Sequence, residues 1–353
     1  MCIRDRFSIT GPASWLGEPE RNTVKMIEEQ INKQGGINGH PLQVIIEDTA
    51  GDEGKTVLAI KKLITRDKVC AVIGPSRSGS TMAVIALAEQ YKVPLISCAA
   101  AEQIINPVRK WVFKTPESDA DAVRRIYEKA KDMNISKVAI MSATTGFGTA
   151  GREQLIKIAG EMGITIVADE TYNPRDTDMT AQLTKIKGTD AEAIVNWSIV
   201  PAQTTVMRNR KQLDMKIPLF QSHGFGNIMY AKSAGDAAEG VMFPGGKLLI
   251  ADLLPDTDPQ KAVLTKYKSD YEEMFKTDVS TFGGYAYDAL YLVIDALKAV
   301  GSEREKIRDH VESRKGFIGI TGVFNYSADD HYGLTKDAFE MLGIKDGRFV
   351  PAE

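Results

Sequence analysis

Through most of the chain, short apolar runs alternate with stretches whose apolar residues recur every third or fourth position. "LQVIIED" is followed by "GKTVLAIKKLITRD", then "VCAVIGP", "GSTMAVIALAEQY" and "VPLISCA". After "WVFKTPESD" come "ADAVRRIYEKAKDM", "KVAIMSA", "GREQLIKIAGEMG", "ITIVADE", "MTAQLTKIKG" and "AEAIVNW". The short runs are apolar almost throughout, not at every second position. That pattern predicts parallel strands covered on both faces, each followed by a crossover helix. Gly35 and Gly36 close the first helix, and "INGHP" turns the chain into a strand. The expected fold class is therefore α/β.

The pattern starts twice, once at Phe7 and again near Lys137. Between the two runs, "KWVFKTPESDAD" reads as an extended crossover, because Pro116 disfavours helix at Thr115 and Ser118 or Asp119 caps the next helix. "GVMFPGGKLL" and "GVFNYSADD" read as two more crossings. Two Rossmann-like lobes with parallel sheets are expected, joined by three crossovers with a ligand cleft between them: residues 7–116 plus 251–322, and residues 117–250 plus 323–353. Hinges are expected near Thr115, Gly245 and Phe324. In such sheets ligands gather at the carboxyl ends of the strands.

A chain of 353 residues is long enough for two domains with cores of their own. The formal net charge of −3 gives no basic surface for nucleic acid or an anionic membrane. No apolar run approaches the roughly 18 residues of a membrane helix, so no direct membrane insertion is expected. "MCIRDR" has no periodicity, and "FSITGP" follows it as though a strand had been cut. A codon run resembling a transposon end used in sequencing libraries can encode it. Met1 to Arg6 are thus expected to be a translated adapter, with the native N-terminus and any export signal lost. Cys70 opens one strand and Cys98 closes its neighbour, about 13 Å apart at ~3.3 Å per residue. That is beyond disulfide reach, and two buried free thiols are expected.

Two glycine-bearing loops carry the candidate chemistry. "TGFGTAG" contains Gly146, Gly148 and Gly151 in G-x-G-x-x-G spacing after a strand, with Asp169 and Glu170 following the next strand. This is the layout of a dinucleotide fingerprint. Against it, Ser142, Ala143, Thr144 and Thr145 separate the strand from the first glycine, and bulky Phe147 stands where pyrophosphate needs a small surface. A loop presenting Phe147 to a cleft is the preferred reading, and no cofactor is expected. "IGPSRSGST" lacks the lysine of a phosphate-binding loop and has one residue too many for a nucleophile elbow. It reads instead as an uncharged cradle for one carboxylate, with the hydroxyls of Ser76, Ser78 and Ser80 facing outward at a helix start. His40, His223, His310 and His331 fall in no metal or catalytic spacing, and "SADDHYGL" reads as a capped turn. Trp15, Trp197 and Tyr285 are open between core and site.

From Phe7 onward the chain resembles the type I periplasmic binding proteins of the leucine/isoleucine/valine-binding family. The likeness lies in "SITGPASWLGEPERNTVKMIEEQINKQGGINGHPLQVIIEDTAGD", "AVIGPSRSGSTMAV", "VPLISCAAA", "FKTPESD", "YNPRDTDMTAQLTKIK", "QSHGFGN" and "AAEGVMF", in that order. The resemblance implies a non-catalytic, periplasmic or otherwise extracytoplasmic receptor of an ABC importer, partnered by a permease and, through it, an ATPase. The ligand it implies is a small carboxylate or amino acid.

By the same resemblance, Leu16 flanked by Trp15 lies against the ligand side chain. Ser78 bonds the ligand carboxylate, and Ala99 and Ala100 contribute backbone groups. Ala101 stands where the family has threonine. Phe147 matches an aromatic lid residue; Ile199 matches a tyrosine, with Trp197 as the alternative contributor; Tyr285 matches a further aromatic wall. His223 stands where the family has an acid that receives the ligand ammonium. The exchanges at Ala101 and His223 point to an aromatic or branched acid in preference to an amino acid. Glu102 and Asp119 are the acids able to replace the one missing at His223, although Asp119 reads more simply as a helix cap. The rival readings are a ligand-sensing regulatory protein of the same fold and an NAD-dependent enzyme.

Overall fold

The structure, a computed structural model, describes residues 2–352; Met1, the first residue of the expected adapter, lies outside the described residues. The chain divides into two compact units, Met1–Glu117 with Ala251–Ala338 (unit 1) and Ser118–Ile250 with Phe339–Glu353 (unit 2).

In unit 1, strands β1 (Cys2–Phe7), β2 (Gln43–Asp48), β3 (Val72–Ile73), β4 (Leu95–Ser97) and β5 (Val112–Lys114) form an all-parallel sheet in the order β2-β1-β3-β4-β5. Residues 2–6 of the expected adapter lie in β1, with Arg4 and Asp5 in register with Val72 and Ile73. The helices form where the apolar spacing places them. In Glu53–Thr65, Thr56, Ile60, Leu63 and Ile64 make one buried stripe, and the Asp52 side chain caps the start by accepting from the Lys55 amide at 2.7 Å. Because the winding direction reverses between β1 and β3, the loops leaving their carboxyl ends diverge and open a crevice.

Unit 2 repeats the winding. Strands β6 (Lys137–Ala143), β7 (Thr165–Tyr172), β8 (Ala193–Trp197), β9 (Leu219–Gln221) and β10 (Met242–Gly246) run parallel in the order β7-β6-β8-β9-β10, with the reversal between β6 and β8. The chain then returns to unit 1, where β11 (Phe317–Ile318) and β12 (Val323–Phe324) form an antiparallel ribbon. Finally β13 (Phe339–Lys345) and β14 (Arg348–Pro351) extend the unit 2 sheet antiparallel beyond β10.

The expected unit bounds at 116/117 and 250/251 stand beside passages after Glu117 and Ile250, and the expected bound at 322/323 beside one after Ala338. Thr115 is held within unit 1, its amide donating to Ser97 O at 3.1 Å and its hydroxyl to Tyr285 O at 2.9 Å; the passage follows Glu117. Gly245 is locked in a ladder opposite Glu340, and the passage follows Ile250. Phe324, opposite Phe317 and stacked on Tyr326 at 5.4 Å, stays in unit 1; the passage follows Ala338, so residues 323–338 belong to unit 1. Gly245 and Phe324 looked extended because they pair in strands, and strand pairing anchors a segment rather than freeing it; Thr115 directly follows β5. Cys70 and Cys98 are both buried and carry thiols rather than a shared disulfide.

Candidate functional site

In unit 1 the candidate residues converge at the carboxyl ends of β3, β4 and β5. Ser78 opens the helix Ser78–Tyr91 and is buried, its hydroxyl accepting from the Ala101 amide at 3.3 Å. The helix start leaves backbone N–H groups without intrahelical acceptors, and these favour an anion. None of Ser76, Ser78 and Ser80 faces outward as expected; all three are buried. The Ser76 hydroxyl accepts from the Ser8 amide at 3.1 Å and donates to Glu20, so an acid lies behind the cradle expected to be uncharged. The Ala99 amide turns back onto Ser97 Oγ at 3.1 Å, and the Ala100 carbonyl is taken by Lys114 Nζ at 2.6 Å. Leu16 is buried and Trp15 half-buried, in the first turn of the helix Ser14–Lys33 rather than in a loop.

Behind this cradle stands a polar cluster. Lys114 is 0% exposed at the end of β5, its ammonium 4.7 Å from the centre of the Tyr332 ring. Glu117 is also 0% exposed, and among the described residues neither of its carboxylate oxygens meets a donor at good hydrogen-bonding geometry. Burial pushes its carboxyl up to about 7, against the weaker pull of its own amide, the Tyr285 hydroxyl and Lys114, while Asp288 adds to the rise. Tyr285, on the helix Thr281–Val300, is buried; burial and the Glu117 charge push its phenol well above the usual range. Asp288 has the Ile320 and Thr321 amides at 2.6 and 2.7 Å, and burial pushes its carboxyl up to about 7.

In unit 2, Phe147, Trp197, Ile199 and His223 come together at the carboxyl ends of β6, β8 and β9. His223 is buried in a short 3-10 turn, His223–Phe225, capped by Ser222. Edge-to-face contacts set its ring among Phe147 at 5.2 Å, Trp197 at 5.5 Å and Phe339 at 5.6 Å. Ile199 accepts from the Tyr230 hydroxyl at 2.8 Å through its carbonyl. Asp119 is not the helix cap; Ser118 is, accepting from the Ala120 amide at 3.3 Å. Asp119 is instead buried with Oδ1 3.6 Å from His223 Nε2.

The glycines of "TGFGTAG" serve packing. A Cβ on Gly148 would lie 1.8 Å from the Ala143 carbonyl oxygen, and one on Gly151 would lie 2.0 Å from Trp197 Nε1. They let the helix Gly146–Ala159 press onto β6 and onto the indole, leaving that face filled by Trp197. The capped turn expected at "SADDHYGL" is present, with Asp330 accepting from the amides of Tyr332 and Gly333 at 2.8 and 3.0 Å.

Sequence reasoning missed Glu20, Lys114, Glu117 and Phe339. The one local signal was Lys114, a charge closing the apolar run "WVF". Glu20 meets Ser76 across a separation of 56 residues, which no local pattern encodes.

One unit thus carries a cradle of hydroxyl and amide groups and the other a packed aromatic cluster, both at the carboxyl ends of doubly wound sheets. A family model described as "Periplasmic binding protein" matches residues 7–341. The chain belongs to that family, in the type I branch of the leucine/isoleucine/valine-binding proteins, whose members are extracytoplasmic solute-binding proteins and not enzymes.

Among its relatives, the leucine-, isoleucine-, valine-, threonine- and alanine-binding protein of Pseudomonas aeruginosa is 27% identical over 85% of this chain and 79% of its own length. An extracellular ligand-binding receptor from Rhodopseudomonas palustris HaA2 superposes with a TM-score of 0.93 at 25% identity, covering 99% of both chains. The branched-chain amino acid transporter substrate-binding protein LivJ of Streptococcus pneumoniae, solved with isoleucine, gives 0.86 at 25% identity over 99% of this chain and 97% of its own. Among the described residues no helix is long and apolar enough to cross a membrane.

Proposed function

We propose that this protein is the ligand-capturing receptor of an ABC importer of the branched-chain amino acid type, and that its ligand is a small aromatic or branched carboxylic acid in preference to an amino acid. The observation that carries this reading is the Ser78 cradle: a hydroxyl in the first turn of the helix Ser78–Tyr91, tied to the Ala101 amide at 3.3 Å. A helix start with a hydroxyl and free amides suits one carboxylate. The relatives named for aliphatic amino acids, and the isoleucine complex, involve ligands that carry such a carboxylate.

The preference against an amino acid rests on His223. An enclosed ammonium without a partner costs several kcal/mol. Where the resemblance implies an acid, this chain has a histidine beside Asp119, ringed by Phe147, Trp197 and Phe339. Such a ring favours a flat or branched apolar group, and imidazole accepts or donates to a ligand oxygen. Within unit 1 the Ser78 cradle suits a carboxylate, and within unit 2 the ring around His223 suits an apolar group. A ligand that binds one state of the protein better than another shifts the population toward it, and a permease reads that state on the extracytoplasmic side. A ligand of about ten heavy atoms reaches about −8 to −10 kcal/mol, micromolar or tighter.

The test is paired calorimetry of leucine and phenylalanine against 4-methyl-2-oxopentanoate, phenylacetate and benzoate. Micromolar binding of an acid, with the matching amino acid at least tenfold weaker, is expected. Tighter binding of the amino acids refutes the preference, and no binding by either group refutes the receptor.

A further inference from the structure

The cluster behind the unit 1 cradle is more than packing. Lys114 closes β5 with its ammonium on the Ala100 carbonyl at 2.6 Å, next in sequence to Ala101, whose amide reaches Ser78. That carbonyl is therefore already engaged by a cation and is a poor acceptor for a ligand N–H. Glu117, three residues further along, is buried; its own amide and the Tyr285 hydroxyl pull on the carboxyl, yet among the described residues neither oxygen makes a hydrogen bond of good geometry. A fully buried carboxylate in that state is costly to keep ionised, whereas the protonated carboxyl is a donor awaiting an oxygen.

We propose that Lys114 and Glu117 are specificity-determining residues of the proposed receptor site, Lys114 supplying the positive charge that favours a ligand carboxylate and Glu117 donating its carboxyl proton to a second ligand oxygen, so that the ligand carries oxygen functions and no ammonium. The inference rests on the receptor reading and deepens it. It assigns selectivity to unit 1, independently of His223.

The charged and titratable groups around Glu117 agree in direction. Tyr285 and Asp288 face it from the helix Thr281–Val300, and Lys114 bears on it from β5. Glu20, on the helix Ser14–Lys33, acts on Tyr285, and Asp119 lies two residues on in the chain. The acids outnumber the one cation, so a negative charge on Glu117 is disfavoured. Burial pushes its carboxyl up to about 7, so near neutral pH the protonated form is well populated. An arriving carboxylate adds negative charge and holds that proton in place. An arriving ammonium would be repelled by Lys114 and would need Glu117 to release its proton.

Calorimetry with 4-methyl-2-oxopentanoate and leucine, a pair differing only in oxo against ammonium, tests this on the full chain at pH 6, 7 and 8. The oxo acid should bind several-fold tighter at pH 6 than at pH 8, with proton uptake visible as a dependence of the heat on buffer ionisation enthalpy. Glu117→Gln, which keeps a neutral donor, should retain affinity within about threefold and flatten the pH profile. Lys114→Gln should weaken the oxo acid at least tenfold and narrow its advantage over leucine. A flat profile for the unsubstituted chain, or leucine binding better than the oxo acid, overturns the proposal while leaving the receptor intact. If Lys114→Gln does not fold, the pH profile and Glu117→Gln decide. Failure of both probes to bind at millimolar concentration counts against the receptor reading itself.

Discussion

Gly151→Ala adds one carbon at a place with no room for it. The new Cβ would lie 2.0 Å from Trp197 Nε1, 2.1 Å from Cε2 and 2.3 Å from Cδ1. Comfortable carbon contacts are about 3.5–4.0 Å, so the indole or the helix must move by roughly 1.5 Å. Trp197 cannot yield freely, being 0% exposed with Phe147 and His223 at centroid distances of 5.7 and 5.5 Å. Overpacking of this kind costs about 1–3 kcal/mol, and the helix preference of alanine over glycine returns less than about 1.

Gly160, at the end of the same helix with φ −62° and nothing within 4 Å of the place a Cβ would take, is the control: Gly160→Ala should be neutral or stabilising by about 0.4–1 kcal/mol. Urea unfolding followed by tryptophan fluorescence measures both. Because any shift of Trp197 displaces Phe147 and His223, Gly151→Ala should also weaken ligand binding. Equal stability of the two variants would refute the packing role of this glycine and reopen the nucleotide reading.

Ser78→Ala should weaken ligand binding by about 1–3 kcal/mol in calorimetry while leaving the unliganded protein folded, since it removes a hydrogen bond to a charged group. Phe147→Ala should cost of order 2 kcal/mol in affinity through lost apolar contact, and NAD binding by either Phe147→Ala or the unsubstituted chain would contradict the receptor assignment. Stability should fall as pH rises. Glu117 and Asp288 have folded values of about 7 against ordinary values of 4.5 and 3.8, so between those limits the folded state binds more protons than the unfolded. Each contributes about 3–4 kcal/mol of decline from roughly pH 4 to above pH 7. Glu117→Gln should therefore be the more stable protein at pH 8, and an unchanged profile of stability against pH would show that Glu117 is not the buried acid responsible.

The architecture was legible because it depends on periodicity. "KVAIMSA" is β6 from its first residue to its last, and "LQVIIED" contains β2. Two runs of such units, each wound in the same order, follow from strand and helix alternation and the right-handed crossover rule. The exact hinge residues were not legible, because an extended segment that pairs and one that crosses look alike in sequence. "GVMFPGGKLL" resembles a crossing until Gly245 is seen opposite Glu340.

The candidate residues readable in sequence were those at the first helical turn after a strand, as with Ser78, Phe147 and His223. The others were hidden where side chains meet over long separations. Phe339 reaches His223 from the last part of the chain, and Lys114 reads as the solvated end of a strand until its ammonium is found on Ala100. Asp119 was misread because Ser118, one residue earlier, satisfies the same capping rule and takes the position.

The central claim, that this chain holds a small carboxylate through Ser78, is tested most directly by equilibrium unfolding of the unsubstituted protein and Ser78→Ala across a panel of aromatic, branched and 2-oxo acids, amino acids and NAD. A ligand at about one hundred times its Kd stabilises the folded state by about 2.7 kcal/mol. The account predicts that at least one carboxylic acid reaches that stabilisation, that Ser78→Ala loses most of it at the same concentration, and that NAD gives none. Stabilisation by NAD, or by an acid equally in both proteins, would contradict it.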